Sequence, residues 1–256
     1  MHNAAFFEKK TNAVYLAFEP SGVKQAVESV RTLPISGASI TIPYKKSIMP
    51  FLDIVDPLAE MIGAVNTIRN SNGVIEGFNT DGIGALGAIK DSSGDVKGKR
   101  ILILGTGGSS RAIAFTLLSE NAHVTIAGRK GDSQHSLLID LSAHFHDVGD
   151  IDISEIDKTA VSENEIIINT TPVGMNDSDQ TPINTDYIGQ DHTVFDIVYH
   201  PHETKLLRNA RENGAKPVYG IEMLIRQGAE QFRIWTGEEP PVEIMRKTVI
   251  EAAYRA

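Results

Sequence analysis

The chain contains no cysteine, which excludes a disulfide scaffold, a thiolate-bound zinc and a cysteine nucleophile together, and it fits a reducing cytoplasm. It is poor in positive charge: 24 Lys and Arg against 33 Asp and Glu leave a net charge of -9 over 256 residues. No basic footprint is concentrated anywhere, which argues against nucleic acid as the main partner, although one local pocket can still hold an anion. No apolar run approaches the roughly 18 residues of a membrane span, and Met1 to Lys10 has no signal-peptide core. A soluble cytoplasmic protein without nucleic-acid or membrane partners is expected. What is present is ample core material, 41% hydrophobic residues, in a length that suits one large or two medium domains.

The pattern is clearest from Lys99 onward. Arg100-Ile-Leu-Ile-Leu104 is a continuous apolar run ended by Gly105, as in a strand buried on both faces. A helix follows, with Ser109 or Ser110 as its cap and Asn121 at its end, and then a strand from His123 to Ala127. Strand, glycine turn, helix and strand within about thirty residues is a parallel crossover. The alternation continues with a helix over Ser136 to Phe145, strands over Glu165 to Asn169 and Thr193 to Val198, a helix over Glu203 to Asn213 and a strand over Lys216 to Tyr219. Residues 82–219 therefore read as one doubly wound α/β domain.

The first eighty residues alternate in shorter elements: a strand over Val14 to Phe18, a helix over Val23 to Leu33, a strand over Ser39 to Ile42, and short helices around Ile48 to Leu52 and Pro57 to Ile62. Val65 to Arg69 and Val74 to Gly77 form a hairpin across Asn70-Ser-Asn-Gly73. Ile221 to Trp235 and Val242 to Arg255 read as helices that pack back on this first part, so residues 1–81 with 220–256 form the other domain.

Gly105-Thr-Gly107-Gly108-Ser109-Ser110-Arg111 follows a strand and opens a helix, the context in which such a pattern binds a dinucleotide. Gly105 permits the turn, Gly107 lets a pyrophosphate approach the backbone, Ser110 replaces the third glycine with another small residue, and the helix N-terminus faces the phosphates. The next strand ends Ala127-Gly128-Arg129-Lys130. It offers two cations for a 2′-phosphate and no carboxylate for a ribose hydroxyl, which favours NADP over NAD. A P-loop is excluded, because Gly98-Lys99 is followed by Arg100 and has no glycine five positions earlier. No metal site is expected: His144-Phe-His146 and His200-Pro-His202 lack zinc-protease spacing.

A hydride acceptor bound beside NADP needs polar groups that orient a hydroxyl or ketone and one that exchanges the proton. Thr41 and Lys45 flank Pro43, Asn66 and Thr67 sit at the hairpin, and Asn79, Thr80 and Asp81 lie at the domain crossing. Each also has a plain reading: Lys45 as a surface lysine beside Lys46, Asn66 as a turn former, Asp81 as the N-cap of a helix through Ile83 to Ile89.

The chain resembles the shikimate dehydrogenases in Ser39-Ile-Thr41-Ile-Pro43-Tyr44-Lys45, Gly63-Ala-Val-Asn66-Thr67, Asn79-Thr80-Asp81-Gly82 and Gly105-Thr-Gly107-Gly108-Ser-Ser-Arg111-Ala112. The likeness continues in order through Asn169-Thr-Thr171-Pro172-Val173-Gly174-Met175, Asp196-Ile-Val-Tyr199-His-Pro201 and Gly220-Ile-Glu-Met223-Leu-Ile-Arg-Gln227-Gly228-Ala229. It implies a two-domain α/β fold, a Rossmann NADP-binding domain inserted in an α/β substrate domain. The implied activity is reversible NADP-linked reduction of 3-dehydroshikimate to shikimate, on the route to chorismate and aromatic amino acids, by a monomer or homodimer.

Position by position, the resemblance casts Lys45 as the proton-exchanging group and Asp81 as its orienting partner. Thr41, Asn66 and Gln227 would hold ring hydroxyls, and Tyr199 would lie near the carboxylate. Gly105, Gly107, Gly108, Ser109, Ser110, Arg129, Lys130, Thr171, Val173, Met175, Gly220 and Met223 would contact NADP(H), with Met175 and Met223 bordering the nicotinamide or serving simply as packing. Two departures matter. Family members place a first strand and a carboxylate-binding Ser-x-Ser pair before the segment matching Met1-His2-Asn3-Ala4-Ala5-Phe6, and neither is present. Two charge-assisted bonds at about 1.5–3 kcal/mol each correspond to substrate binding weaker by on the order of a hundredfold or more. A late start, a truncated chain and a non-catalytic NADP-binding paralogue are the expectations this raises, beside a quinate-type specificity. Gly128-Arg129-Lys130 also stands where the family more often has Asn-Arg-Thr.

Overall fold

The structure, a computed structural model, describes residues 1–253 except positions 42, 147 and 178. Ile42 and Arg255, each the expected end of an element, lie outside the described residues. The chain divides into two compact units, residues 1–84 with 225–256 and residues 85–224.

The first unit holds α1 (His2–Lys9), α2 (Val23–Thr32), β1 (Gly37–Ser39), β2 (Ile54–Val55), α3 (Pro57–Ile62), β3 (Thr67–Ser71) and β4 (Val74–Phe78), with the start of α4 (Asp81–Ser93). Its four-stranded sheet has the order β1-β3-β4-β2. The hairpin pairs Thr67 with Phe78 and Ser71 with Val74. Asn72 and Gly73, at φ 55° and 90°, make the turn, so its sharp part is the Asn-Gly pair. Across the strands Arg69 Nε donates to Glu76 Oε2 at 2.7 Å, and the guanidinium holds that carboxyl below the usual carboxylate range. Val27, Val30, Ile48, Ala59, Val65, Ile68 and Ile75 form the core behind this sheet. A short 3₁₀ turn, Met49–Phe51, replaces the helix expected around Ile48 to Leu52.

The strand expected over Val14 to Phe18 does not form. Among the described residues its backbone is tied at Tyr15 alone, whose N–H donates to Asn3 Oδ1 at 2.6 Å and whose carbonyl accepts from Asn3 Nδ2 at 3.0 Å. Val14, Leu16 and Phe18 are 67%, 59% and 77% exposed. Alternation of apolar side chains needs a neighbouring ladder to become a strand, and no described strand pairs with this segment.

The second unit contains the rest of α4, then β5 (Arg100–Leu104), α5 (Gly108–Ser119), β6 (His123–Gly128), α6 (Asp132–Ser142), β7 (Val148–Asp152), α7 (Lys158–Ser162), β8 (Ile166–Asn169), β9 (Thr193–Asp196), α8 (Lys205–Glu212) and β10 (Lys216–Tyr219). It ends with the first turn of α9 (Gly220–Thr236); the rest of α9 and α10 (Val242–Ala253) belong to the first unit. The six strands run parallel in the order β10-β9-β8-β5-β6-β7. This is the doubly wound order, and it reverses between β5 and β8, where such sheets bind ligands beyond their carboxyl ends. Ile101 to Leu104 are fully buried, as a strand covered on both faces requires. The acidic edge strand β7 and the one-turn helix α7, capped by Asp157, escape the apolar-run signal. No helix among the described residues is long and apolar enough to cross a membrane.

Candidate active site and dinucleotide site

In the first unit, the segment after β1 turns through Pro43: Tyr44 N–H donates to Thr41 O at 2.9 Å, and Val65 N–H donates to Lys45 O at 2.8 Å. These bonds set the backbone from which Lys45 reaches Asp81, with Nζ 2.5 Å from Oδ2. Asp81 does not have the expected N-cap role: α4 begins at Asp81 itself, and the carbonyl of the preceding Thr80 accepts from Gly84 N–H at 2.9 Å. Asn79 Oδ1 accepts from Asp81 N–H at 3.0 Å while Asn79 Nδ2 donates to Ala64 O at 3.0 Å, so Asn79 secures the start of α4. The carboxylate of Asp81, now the first residue of the helix, is left for side chains.

Asn66 occupies its other oxygen. Asn66 Nδ2 donates to Asp81 Oδ1 at 2.8 Å and to Thr80 Oγ1 at 3.0 Å, while its Oδ1 accepts from Thr80 N–H at 2.8 Å and Thr67 Oγ1 at 2.7 Å. Asn66 is 2% exposed, and both ends of its amide are bonded within the protein. Gln227 Oε1, on α9, lies 3.4 Å from Asn66 Nδ2, Thr80 Oγ1 and Gln231 Nε2. Lys45, Asn66, Asp81 and Gln227 therefore form one contiguous polar cluster. Thr41 is exposed on the turn before Lys45, outside these bonds. Gln231 is the member sequence reasoning missed; its i,i+4 spacing from Gln227, which places both on one face of a helix, is the signal that marks it.

In the second unit, Gly105 follows β5 at φ 114°, and a Cβ there would lie 2.6 Å from Thr170 Oγ1. Gly107 is the N-cap of α5, and neither Ser109 nor Ser110 caps it: Ser110 Oγ turns back to donate to Gly105 O at 2.7 Å. The first-turn N–H groups thus face outward without a side-chain cap, and Cβ atoms at Gly107 or Gly108 would meet nothing within 4 Å. An open helix N-terminus at the switch point fits the pyrophosphate of a dinucleotide.

At the end of β6, Arg129 is exposed and, among the described residues, carries no ion pair. Lys130 is engaged, its Nζ donating to Glu155 Oε1 at 3.1 Å and its N–H to Asp152 at 3.2 Å. Of the two cations expected here, Arg129 is thus the one without an ion pair among the described residues. Gly128 has a packing reason, since a Cβ there would come within 2.4 Å of Thr106 Cγ2.

Beyond β8 and β9 the loops hang on Asp196, which is fully buried. It accepts from Thr204 Oγ1 at 2.7 Å, Asn169 Nδ2 at 3.0 Å and Val198 N–H at 3.0 Å, and burial raises its carboxyl above the ordinary range. Asn169 Oδ1 in turn accepts from Thr171 Oγ1 at 2.7 Å, and Thr171 Oγ1 accepts from Val173 N–H at 3.2 Å. Met175 and Tyr199 project from these loops, exposed, whereas Met223 is buried. Gly220 permits close chain approach, because a Cβ there would meet the carbonyls of Ile197 and Val198 at 2.6 Å.

Known proteins match this arrangement. Residues 1–68 match the shikimate dehydrogenase substrate binding domain, and residues 220–250 the shikimate 5'-dehydrogenase C-terminal domain. A shikimate dehydrogenase (NADP(+)) of Methanococcoides burtonii is 43% identical over 98% of this chain and 91% of its own. A crystal structure of a shikimate dehydrogenase in complex with NADP+ superposes with a TM-score of 0.92 at 39% identity, over 98% of this chain and 89% of that one. A quinate dehydrogenase from Corynebacterium glutamicum in complex with NAD has a TM-score of 0.90 at 30% identity, over 98% and 92% of the two chains. With identity of this degree along nearly its whole length, the chain belongs to the shikimate dehydrogenase family.

Proposed function

We propose that the protein catalyses the reversible NADP-linked reduction of 3-dehydroshikimate to shikimate, as a cytoplasmic monomer or homodimer, with Lys45 exchanging the proton. The observation that carries this reading is the 2.5 Å Lys45–Asp81 contact, backed by Asn66 on the opposite carboxylate oxygen. When bound at the open N-terminus of α5, the nicotinamide cofactor supplies the hydride.

The chain's own residues do the rest. An ammonium has three N–H bonds; one is held by Asp81, leaving the others for a ligand oxygen. As the carbonyl carbon is reduced, negative charge grows on that oxygen. Lys45 stabilises the charge, its N–H bond breaks, and the proton goes to the oxygen to complete the hydroxyl. In the reverse direction the neutral amine takes the proton back. Asp81 keeps the ammonium aimed, because Asn66 and Asn79 fix its carboxylate and its backbone. Thr41 and Gln227 hold ring hydroxyls and Tyr199 serves the carboxylate, while Asn66, expected to hold a hydroxyl itself but with both ends of its amide bonded within the protein, acts through Asp81.

Loss of NADPH absorbance on adding 3-dehydroshikimate tests the reading. Absence of any reaction would sink it and leave a nucleotide-binding protein without turnover. In the oxidative direction, faster turnover of quinate than of shikimate would reassign the substrate within the same chemistry.

A further inference from the structure

Behind the site, donors and acceptors run in one sense. Ser39 Oγ donates to Gln231 Oε1 at 3.0 Å, Gln231 Nε2 donates to Thr67 Oγ1 at 3.1 Å, Thr67 Oγ1 donates to Asn66 Oδ1 at 2.7 Å, and Asn66 Nδ2 donates to Asp81. Gln231 is 2% exposed, and its remaining N–H points to Gln227 Oε1 at 3.4 Å. The buried imidazole of His2, kept neutral with a pKa of about 4, is a further hydrogen-bonding neighbour of the Gln231 side chain. With the Ser39 hydroxyl on its oxygen and two acceptors before its nitrogen, the Gln231 amide is held one way round.

We infer that Gln231 is a positioning residue for substrate recognition: it locks Gln227 with Oε1 turned inward, so that the Gln227 NH₂ group is what a ligand oxygen meets. The inference rests on Gln227 acting as a substrate ligand. Gln227 Oε1 faces the amide hydrogens of Asn66 and Gln231 and the hydroxyl of Thr80, whereas its Nε2 donates to no described residue. Turning Gln227 over would set its own N–H bonds against those of Asn66 and Gln231, two donors to donors. The amide therefore offers hydrogens outward, which suits hydroxyl oxygens and a carboxylate and disfavours a ligand that presents a donor at that place.

Three variants test this, each measured for KM and kcat with 3-dehydroshikimate at saturating NADPH and for NADPH binding by fluorescence. Gln231→Glu keeps the length and the acceptor for Ser39 but puts an acceptor where the amide donor was. It is expected to raise KM about tenfold, the loss of one well-placed hydrogen bond, with a smaller change in kcat and unaltered NADPH affinity. Gln231→Met, similar in volume and uncharged, releases Gln227 without reversing it and should raise KM by less than Gln231→Glu. Gln227→Met should raise KM on its own, and adding Gln231→Glu to it should change KM little further. Should Gln231→Glu fail to fold, the Gln231→Met value decides. Wild-type KM in Gln231→Met, or additive effects in the double variant, would overturn the inference while Gln227→Met still raised KM. An unchanged KM in Gln227→Met would overturn the underlying substrate role and the inference together.

Discussion

Gly105 and Gly107 stand two residues apart in one turn, yet the structure assigns their lack of a side chain to different causes. At Gly105, φ is 114°, a value L-residues rarely adopt, and an added Cβ would lie 2.6 Å from Thr170 Oγ1 and 3.2 Å from Thr171 Cγ2. Gly105→Ala therefore carries backbone strain of about 1–3 kcal/mol. It also turns Thr170 away from its 2.6 Å bond to Leu104 O, a loss of about 0.5–1.5 kcal/mol. Together these amount to about 2–4 kcal/mol, or a fall in Tm of roughly 5–15 °C for a chain of this size. At Gly107, φ is -79° and a Cβ meets nothing. Gly107→Ala should cost the fold no more than about 1 kcal/mol as a poorer N-cap, while its methyl group occupies the approach of the pyrophosphate and weakens NADPH. Thermal unfolding without ligand, paired with fluorescence titration of NADPH, separates the two. A Gly105→Ala protein that melts with wild type, or a Gly107→Ala protein that binds NADPH unchanged, would refute the division of roles.

Further outcomes follow from buried and exposed charges. Asp196 has its carboxyl raised by burial, so the stability it contributes is full below the ordinary carboxylate value of 3.8 and is lost as pH rises through the raised one. Denaturant midpoints of wild type and Asp196→Asn should therefore diverge with rising pH, wild type losing ground; the opposite trend would contradict the burial argument. His2 is the mirror case: burial depresses its pKa from 6.5 to about 4, so its stabilising share is present above 6.5 and lost as pH falls through about 4. His2→Gln should lose less stability than wild type across that interval in the same assay, and equal acid sensitivity would count against it. Arg129→Ala should weaken NADPH by about ten- to a hundredfold, the loss of a charge-assisted contact, and leave NADH nearly untouched; equal weakening of both would remove the 2′-phosphate assignment.

The inner strands of the second unit were legible because a parallel strand covered on both faces must be a continuous apolar run, as Ile101 to Leu104 and Ile166 to Ile168 are. The edge strand Val148–Asp152 carries carboxylates on a half-exposed ribbon, so no apolar run announces it. Val14 to Phe18 failed in the opposite direction. Its alternation reports a residue pattern, and pairing depends on a neighbour that no local pattern encodes. The site divides in the same way. Lys45, Asn66 and Asp81 each had a plain surface, turn or cap explanation, and it was the family resemblance that singled them out. That Asn79 holds the start of α4, leaving the Asp81 carboxylate to Lys45, is a three-dimensional fact. Gln231 looked like any polar residue on an amphipathic helix, because burial against Thr67 and Ser39 joins residues far apart in the chain.

The decisive measurement is turnover of 3-dehydroshikimate with NADPH by wild type and by Lys45→Met, with NADPH affinity measured on both. Wild type should turn over, and the variant should fall by about 10²–10⁴-fold in kcat, the contribution of a positioned acid, at unchanged NADPH affinity. A Lys45→Met protein that reduces the ketone as fast as wild type would contradict the assignment of Lys45 as the proton donor.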